Sequence, residues 1–565
     1  MTRTSKHRPW LETYRALGIP WDVLPELPAK SLATYVEEHA RDRGDRIAIV
    51  YLGRTWSYAA LDALANRFAH VLRARGFRRG DVLGIHLPNT PQYVLAFVAA
   101  SKLGVTVTSL SPLMTPPELL HQANDARVRA ILSLEPAFEA ALRPVLDRIP
   151  TLEQVYVSSP TELLPDAEAA SPRAPVGSGV TVSGLSEALA GAATTRVATA
   201  PHPDDVVFLQ YTGGTTGRPK GAQLTLRNVL LNNLQADVFN QYRVGEEVIA
   251  AAFPMFHIGG AAVTYNALRA GATSLVIPDP RNVEHFCAEM RAHPPTILIN
   301  VPALYQMLLA SPAFRALDFD RLRLAVTAAA PFSVDELRRL EEVIGEGKIT
   351  EVYGMTETGP IQTCNPAPRF KLGHVGIPVP GTDVRIVDVE TGTRDVPLGE
   401  AGEIIVRGPQ VMRGYLDPEG TKHALRELDG ETWMYTGDVG IMDDEGYVRI
   451  CDRNKDMLIV GGYKVFSVEV EHAVKALPFV ALSALVGRPD PARPGSEIAR
   501  LVVQRMPGAA LADDEAREAI LRHCRANLAP YKIPKEIIFV DALPLTSVGK
   551  IDKKAMRAEA AATSP

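Results

Sequence analysis

The sequence predicts an α/β protein: a large N-terminal domain of several subdomains, with mixed and parallel sheets covered by helices, followed by a small α+β C-terminal domain. Three observations carry this expectation. Helical and strand periodicities alternate along residues 57–157, the pattern of parallel strands with covering helices. An apolar-patterned body continues to about residue 450, and after Asp452 the texture changes to short strands, a Gly461-Gly462 turn and two helices, which divides the chain into 1–451 and 452–565. A length of 565 residues also exceeds what one ordinary core accommodates.

Taken in order, Leu61, Leu64, Ala65, Phe68, Val71 and Leu72 recur at helical spacing, and residues 81–87 (DVLGIHL) then read as a strand. A second helix is expected over 93–102 and a strand over 105–108. The third helix carries its own start signal: Thr115 as cap, Pro116 at the first helical position and Glu118 to complete a capping box. A strand at 128–132, a helix from Phe138 and a strand at 155–157 complete the alternation. Residues 158–203, rich in Pro, Ala, Ser and Gly, read as a surface excursion. Further strands are expected at 248–253, 274–277 and 296–300, and in the C-terminal domain helices open near Ser467 and run over 513–527.

Hydrophobic residues at 46% and charged residues at 22% are those of a soluble globular enzyme. A net charge of −5 gives no general attraction to phosphate backbones, so nucleic acid is not an expected partner. The four cysteines, Cys287, Cys364, Cys451 and Cys524, have neither zinc-knuckle nor disulfide-framework spacing. Residues 1–10 lack the apolar run of a secretory signal, no stretch has membrane-spanning length, and Thr563-Ser564-Pro565 is not a Ser-Lys-Leu address. A cytoplasmic protein without a transmembrane segment is expected; peripheral membrane contact and the choice between monomer and homodimer stay open.

The most informative stretch is 211–221, YTGGTTGRPKG. Glycines let backbone N–H groups turn toward anionic oxygens, threonine hydroxyls add donors, and Arg218 and Lys220 add positive charge, which together make a polyphosphate cradle. It is not the Walker loop, which needs Gly-Lys followed by Ser or Thr, whereas here Lys220 precedes Gly221. Strands expected at 206–210 and 221–225 make it a strand–loop–strand clamp. Farther on, Glu357 in YGMTETG can hold a magnesium ion that bridges phosphates, and Asp438 in YTGD can accept ribose hydroxyls. Alone, each is equally an ordinary loop carboxylate.

In this order and spacing, YTGGTTGRPKG, YGMTETG, YTGD, DRNKDMLIVGGYKV and SVGKIDK resemble the core motifs of the adenylate-forming superfamily of acyl-CoA synthetases, luciferases and peptide-synthetase adenylation domains, over nearly the whole chain. Pro9-Trp10, SPL at 111–113, GPQVM at 408–412 and DRNKDM at 452–457 look most like bacterial medium- and long-chain fatty-acid:CoA ligases. The resemblance implies an ATP-dependent acyl-CoA ligase that converts a carboxylic acid to acyl-CoA through an acyl-adenylate, with ATP, Mg²⁺ and CoA as co-substrates and cofactor.

By the same resemblance Thr212, Gly213, Gly214, Thr215, Thr216 and Lys220 would hold the β- and γ-phosphates, and Glu357 would hold the metal. Thr356 would touch the α-phosphate, Asp438 and Arg453 the ribose, and Tyr353 with Ala329, Ala330 and Pro331 the adenine. The turn at 327–331, TAAAP, departs from the family's glycine-rich form. Lys550 would stabilise the charge that develops during adenylation, with Thr356, Glu357 and His257 as the other catalytic positions. Lys455 would be the hinge of a mobile C-terminal lid, and Gly461, Gly462 and Tyr463 would line the CoA path.

His257, Gly259, Gly260, Val263, Val301 and Met355 would form the acyl pocket, where small residues either leave room for a chain or serve core packing. Among alternatives, an amino-acid-activating domain is disfavoured because residues 256–266 contain no acidic side chain to bind an ammonium. Aryl-acid:CoA ligation, or acyl transfer to a carrier protein, stays open. A catalytically silent nucleotide-binding protein is disfavoured by the presence of Lys550, Glu357 and Asp438 together.

Overall fold

A computed structural model describes residues 8–21, 27–164, 179–198, 200–212, 219–330, 332–461, 463–493, 496–508, 511–545 and 551–562. The chain forms two compact units, one of residues 1–384, 406–434 and 444–448, the other of 385–405, 435–443 and 449–565. Among the described residues no helix is long and apolar enough to cross a membrane.

The first unit contains two large sheets. In one, strands Val206–Thr212, Thr106–Ser109, Val82–His86, Ala130–Leu134, Gln154–Ser158 and Thr181–Gly184 are joined through parallel pairings, and Lys220–Thr225 and Gly414–Tyr415 extend the sheet antiparallel beside Val206–Thr212. The alternation read from residues 57–157 is therefore present as a parallel sheet. Pro116 follows Thr115 at the start of the helix Pro116–Asp125, and the Glu118 carboxylate accepts the Thr115 backbone N–H at 2.8 Å, the box that the sequence signalled.

Two expectations change. The helix from Phe138 is a π turn, Phe138–Leu142, followed by a 3₁₀ stretch Arg143–Arg148, where Pro144 has no N–H to continue an α-helix. The excursion expected over 158–203 returns to the sheet as the strand Thr181–Gly184, parallel to Gln154–Ser158, and the short helix Leu185–Leu189. A four-residue strand of TVSG is too short to show a period, so its pairing comes from the sheet edge it meets.

In the other sheet, Ile349–Gly354, Leu324–Ala328, Ile297–Asn300, Val248–Ala251, Thr273–Val276 and Ile47–Tyr51 pair in parallel, with antiparallel strands at both margins. Helices Val283–Ala292, Pro302–Ala310 and Val334–Ile344 cover one face through Phe286, Met290, Leu304, Leu308 and Leu340. Between the sheets, Phe68, Leu95, Phe97, Leu230, Tyr265 and Phe208 belong to one continuous core. Burial of such large apolar surfaces is the main stabilising term here.

The second unit packs Val480–Pro489 antiparallel to Glu497–Arg505, with Glu536–Val540 parallel to the latter. Helices Ser467–Lys475 and Asp513–Asn527 bury Val470, Val474, Ile520 and Cys524 against these strands. Both helices were legible in the sequence. The unit also holds the stretches 385–387, 402–405, 435–442 and 449–453, paired side by side in that order.

Candidate active site

Strands Val206–Thr212 and Lys220–Thr225 pair antiparallel with Thr212 opposite Lys220, so the clamp read from the sequence has its two flanks as expected. Gly213, Gly214, Thr215 and Thr216 lie outside the described residues. At the loop base, the Lys220 ammonium stands 3.9 Å from the Asp417 carboxylate and 5.7 Å from the centre of the Tyr415 ring. Gly221 packs closely here, since a Cβ there would lie 3.0 Å from the Tyr211 ring.

Glu357 sits on the 3₁₀ turn Thr356–Thr358, directly after the strand Ile349–Gly354. Strand and turn meet tightly: a Cβ at Gly354 would fall on the Pro360 carbonyl oxygen, and the Thr358 hydroxyl donates to that oxygen at 2.8 Å. Glu357 is only 5% exposed, and its Oε1 accepts the Tyr415 hydroxyl at 2.5 Å. The Tyr415 backbone pairs with Ala222 on the flank of the clamp, and Thr212 lies near its hydroxyl. Burial, then the Glu357 charge, push the Tyr415 phenol far above its usual range, so it remains a protonated donor. Tyr415 thus ties the carboxylate to the base of the phosphate loop, a link invisible in sequence because 58 residues separate the two side chains.

Among the described residues no group of three or more His, Cys, Asp or Glu side chains is placed to hold a metal. Glu357 fits the different requirement of Mg²⁺, which takes one or two carboxylates and completes its shell with phosphate oxygens and water. Thr356 precedes it, 8% exposed.

Ala329 follows the strand Leu324–Ala328 and Tyr353 lies on its parallel neighbour Ile349–Gly354, where Ala328 pairs with Val352. Ala329 has φ +72°, the left-handed region that favours glycine. The family's glycine-rich turn is therefore built here with an alanine that bears the strain. Ala330 is exposed, and Pro331 lies outside the described residues. The sequence reading missed Glu351, on the same face of its strand as Tyr353 and 5% exposed. Burial pushes its carboxyl up to about 8. Beside it across the strands lie Thr327 and Asn300, whose Oγ1 and Nδ2 are buried without hydrogen-bond partners.

His257 caps the helix Ile258–Arg269, its Nδ1 accepting the Gly259 backbone N–H at 3.3 Å. That bond assigns the ring proton to Nε2. The preceding turn is pinned by two side chains that the sequence reading did not single out. Asn89 donates to the Phe253 carbonyl at 3.0 Å and accepts from the Met255 N–H at 2.7 Å, and Gln210 donates to the Phe256 carbonyl at 2.7 Å. A Cβ at Gly260 would overlap the Pro254 carbonyl, and one at Gly259 would meet the Phe253 ring at 3.0 Å, so both glycines answer to close packing of this turn. Val263 and Val301 pack with Phe253, Ile299 and Val326, and Met355 borders the core between the sheets.

In the second unit, Asp438 is 8% exposed and 3.1 Å from the Arg453 Nε. Its backbone N–H donates to the Thr436 hydroxyl at 3.1 Å, and Gly437 turns with φ +72° to accept from the Asn454 N–H at 2.8 Å. Burial, reinforced by the Arg453 cation, lowers the Lys455 ammonium below its ordinary value. Gly461 has φ +58° and donates to Ser496 Oγ at 2.9 Å, and Tyr463 stacks on Tyr531 at 4.6 Å. Gly462 and Lys550 lie outside the described residues.

Two family models match the chain: AMP-binding enzyme over residues 36–416, and AMP-binding enzyme C-terminal domain over residues 469–550. A long-chain-fatty-acid–CoA ligase of Escherichia coli O6:H1 is 32% identical over 582 residues, covering 98% of each chain. Among solved structures, ATP-bound MatB from Rhodopseudomonas palustris is 31% identical with a TM-score of 0.79, covering 93% of this chain and 98% of that one. The anthranilate CoA ligase AuaEII, in complex with anthranoyl-AMP, is 25% identical with a TM-score of 0.81, covering 95% and 98%.

Proposed function

The chain belongs to the AMP-binding enzyme family, and from that premise we propose that it joins a medium- or long-chain fatty acid to CoA through an acyl-adenylate. It is an AMP-forming acyl-CoA synthetase. The observation that carries the reading of the site is Tyr415, whose backbone pairs with Ala222 on the clamp flank while its hydroxyl donates to the buried Glu357.

A free carboxylate is a poor electrophile. In the first half-reaction its oxygen attacks the α-phosphorus of ATP, the bond to the bridging oxygen breaks, and pyrophosphate leaves with that electron pair. In the second, the CoA thiol loses its proton to water, sulfur attacks the acyl carbon, and the bond from that carbon to the phosphate oxygen breaks as AMP departs with its electron pair. Neither step needs a protein nucleophile; both need positioning and charge neutralisation. Mg²⁺, when held by Glu357, neutralises phosphate charge. Thr212, Lys220 and the glycine–threonine loop hold the departing pyrophosphate, and Thr356 touches the α-phosphate. Tyr353 and the 329–331 turn face adenine, and Asp438 with Arg453 holds the ribose. The Nε2–H of His257 donates to the acyl carboxylate, orienting it without removing a proton.

Lys550 supplies the cation of the adenylation transition state, Lys455 serves as hinge between a 1–451 body and a 452–565 lid, and Gly461, Gly462 and Tyr463 border the CoA path. The absence of a charged residue over 258–266 supports an uncharged acyl tail, and a cytoplasmic location follows from soluble co-substrates. The test is pyrophosphate release and thioester formation over graded fatty acids, aryl acids and amino acids, with CoA or a carrier protein as acceptor. Fatty acids of medium or long chain with CoA should give the highest kcat/KM. An aryl acid or a carrier protein in first place would overturn the assignment.

A further inference from the structure

We propose that Lys553 and Arg557, on the helix Lys553–Ala562, are positioning residues that lock the base of the Lys550 loop to the hinge segment 452–456, so that the two turn as one body. The inference rests on the reading above, in which Lys550 acts in adenylation and Lys455 is the hinge.

Three sets of bonds within the second unit carry it. The first closes the loop base: Leu545 and Ile551 form an antiparallel bridge, and the Asp552 N–H donates to the Pro544 carbonyl at 2.8 Å. Asp552 also caps the helix, its Oδ1 accepting the Ala555 N–H at 3.0 Å. The second set joins the first helical turn to the start of the hinge segment. Lys553 Nζ donates to Ser467 Oγ at 2.6 Å and lies 2.7 Å from Glu471 Oε1. Ser467 in turn donates through Oγ to Asp452 Oδ1 at 3.0 Å and through its backbone N–H to the other carboxylate oxygen. The same Oδ1 accepts the Arg453 N–H at 2.8 Å.

The third set reaches the hinge residue itself: Arg557 Nη1 donates to the Lys455 carbonyl at 2.8 Å and to Asp456 Oδ1 at 2.6 Å. Lys553 and Arg557 are four positions apart and share a face of the helix. Met556 roots the helix in a core of Ala484, Val486, Val502 and Leu543.

The charges explain why the lock is tight. Asp452 is buried and Glu471 half-buried, desolvation pushes both carboxyls up, and Lys553 is the cation that opposes this in each. Without Lys553 the two carboxylates would face each other without their shared cation. Lys550 is three residues before Lys553, within about 10 Å along the chain. Any slack between helix and hinge is therefore passed to the lysine loop.

The test uses the purified full chain and separates the half-reactions: pyrophosphate release with acid and ATP, and thioester formation from preformed acyl-adenylate and CoA. Lys553→Ala and Arg557→Ala should lower the adenylation kcat about 10- to 100-fold, as misplacement of a catalytic group by about an ångström does, with thioester formation reduced less than about threefold and KM for ATP nearly unchanged. Lys553→Arg should restore most of the loss. Equal losses in both half-reactions, or no loss in either, would overturn the proposal. Should Lys553→Ala fail to fold, Arg557→Ala, which removes two bonds at a partly exposed site, decides by the same criteria. Lys550→Ala run alongside keeps the two levels apart: if it leaves adenylation intact, the underlying reading falls first and takes this proposal with it, whereas a dead Lys550→Ala with unaffected 553 and 557 variants refutes the lock alone.

Discussion

Replacing Glu351 by glutamine should abolish a pH-dependent loss of stability that the native carboxyl imposes. Glu351 is 5% exposed, and among the described residues it has no ion-pair partner. Burial raises it from 4.5 to about 8. Below about 8 the folded protein keeps the carboxyl neutral, while the unfolded chain ionises it from 4.5 upward. Between those values the unfolded state binds fewer protons, so the contribution is fully present below pH 4.5 and is lost as pH rises toward about 8. At 1.36 kcal/mol per pH unit the loss reaches about 3 kcal/mol at pH 7.

Glutamine has nearly the same shape and no charge at any pH. The four tryptophans, Trp10, Trp21, Trp56 and Trp433, all lie in the first unit with Glu351, so urea unfolding followed by tryptophan fluorescence reports on the right part of the molecule. Glu351→Gln minus wild type should give an unfolding free-energy difference that grows by about 2 to 3 kcal/mol between pH 5 and 7 and levels off above pH 8. A difference independent of pH would refute a buried neutral carboxyl at this position.

Two further outcomes follow from the first unit. Tyr415→Phe removes the hydroxyl that donates to Glu357; the loss of a hydrogen bond to a charged group, about 1.5 to 3 kcal/mol, should raise KM for Mg·ATP by about tenfold or more, read from pyrophosphate release. An unchanged KM would remove Tyr415 from the phosphate site. Gly260→Ala drives a methyl group into the Pro254 carbonyl, backbone that cannot rotate away; it should destabilise the first unit by about 1 to 3 kcal/mol in the same fluorescence assay and lower kcat by displacing the turn that carries His257. A neutral result would show that the turn has room to move.

Much of the fold was legible because its signals are local. The alternation over 57–157, the capping box at Thr115 and Glu118 and the helix Asp513–Asn527 each follow from residues within a few positions of one another. The strand Thr181–Gly184 and the π turn at Phe138–Leu142 were not legible, since a short segment takes its conformation from the neighbours it meets. The site divides in the same way. The clamp flanks, Glu357 on its turn, and Asp438 beside Arg453 were marked by residue type and motif order.

By itself, then, the sequence determined the chemistry: which glycines, hydroxyls, cations and carboxylates exist, and in what order along the chain. Tertiary structure alone decided how those groups are held and charged. Tyr415 reaches Glu357 across 58 residues, and Asn89 pins the His257 turn across 166. Glu351 is an ordinary acid until burial on an interior strand raises it to about 8. Periodicity and propensity act over a few residues, whereas hydrogen bonds between distant segments and the desolvation of a carboxyl exist only once the chain has packed.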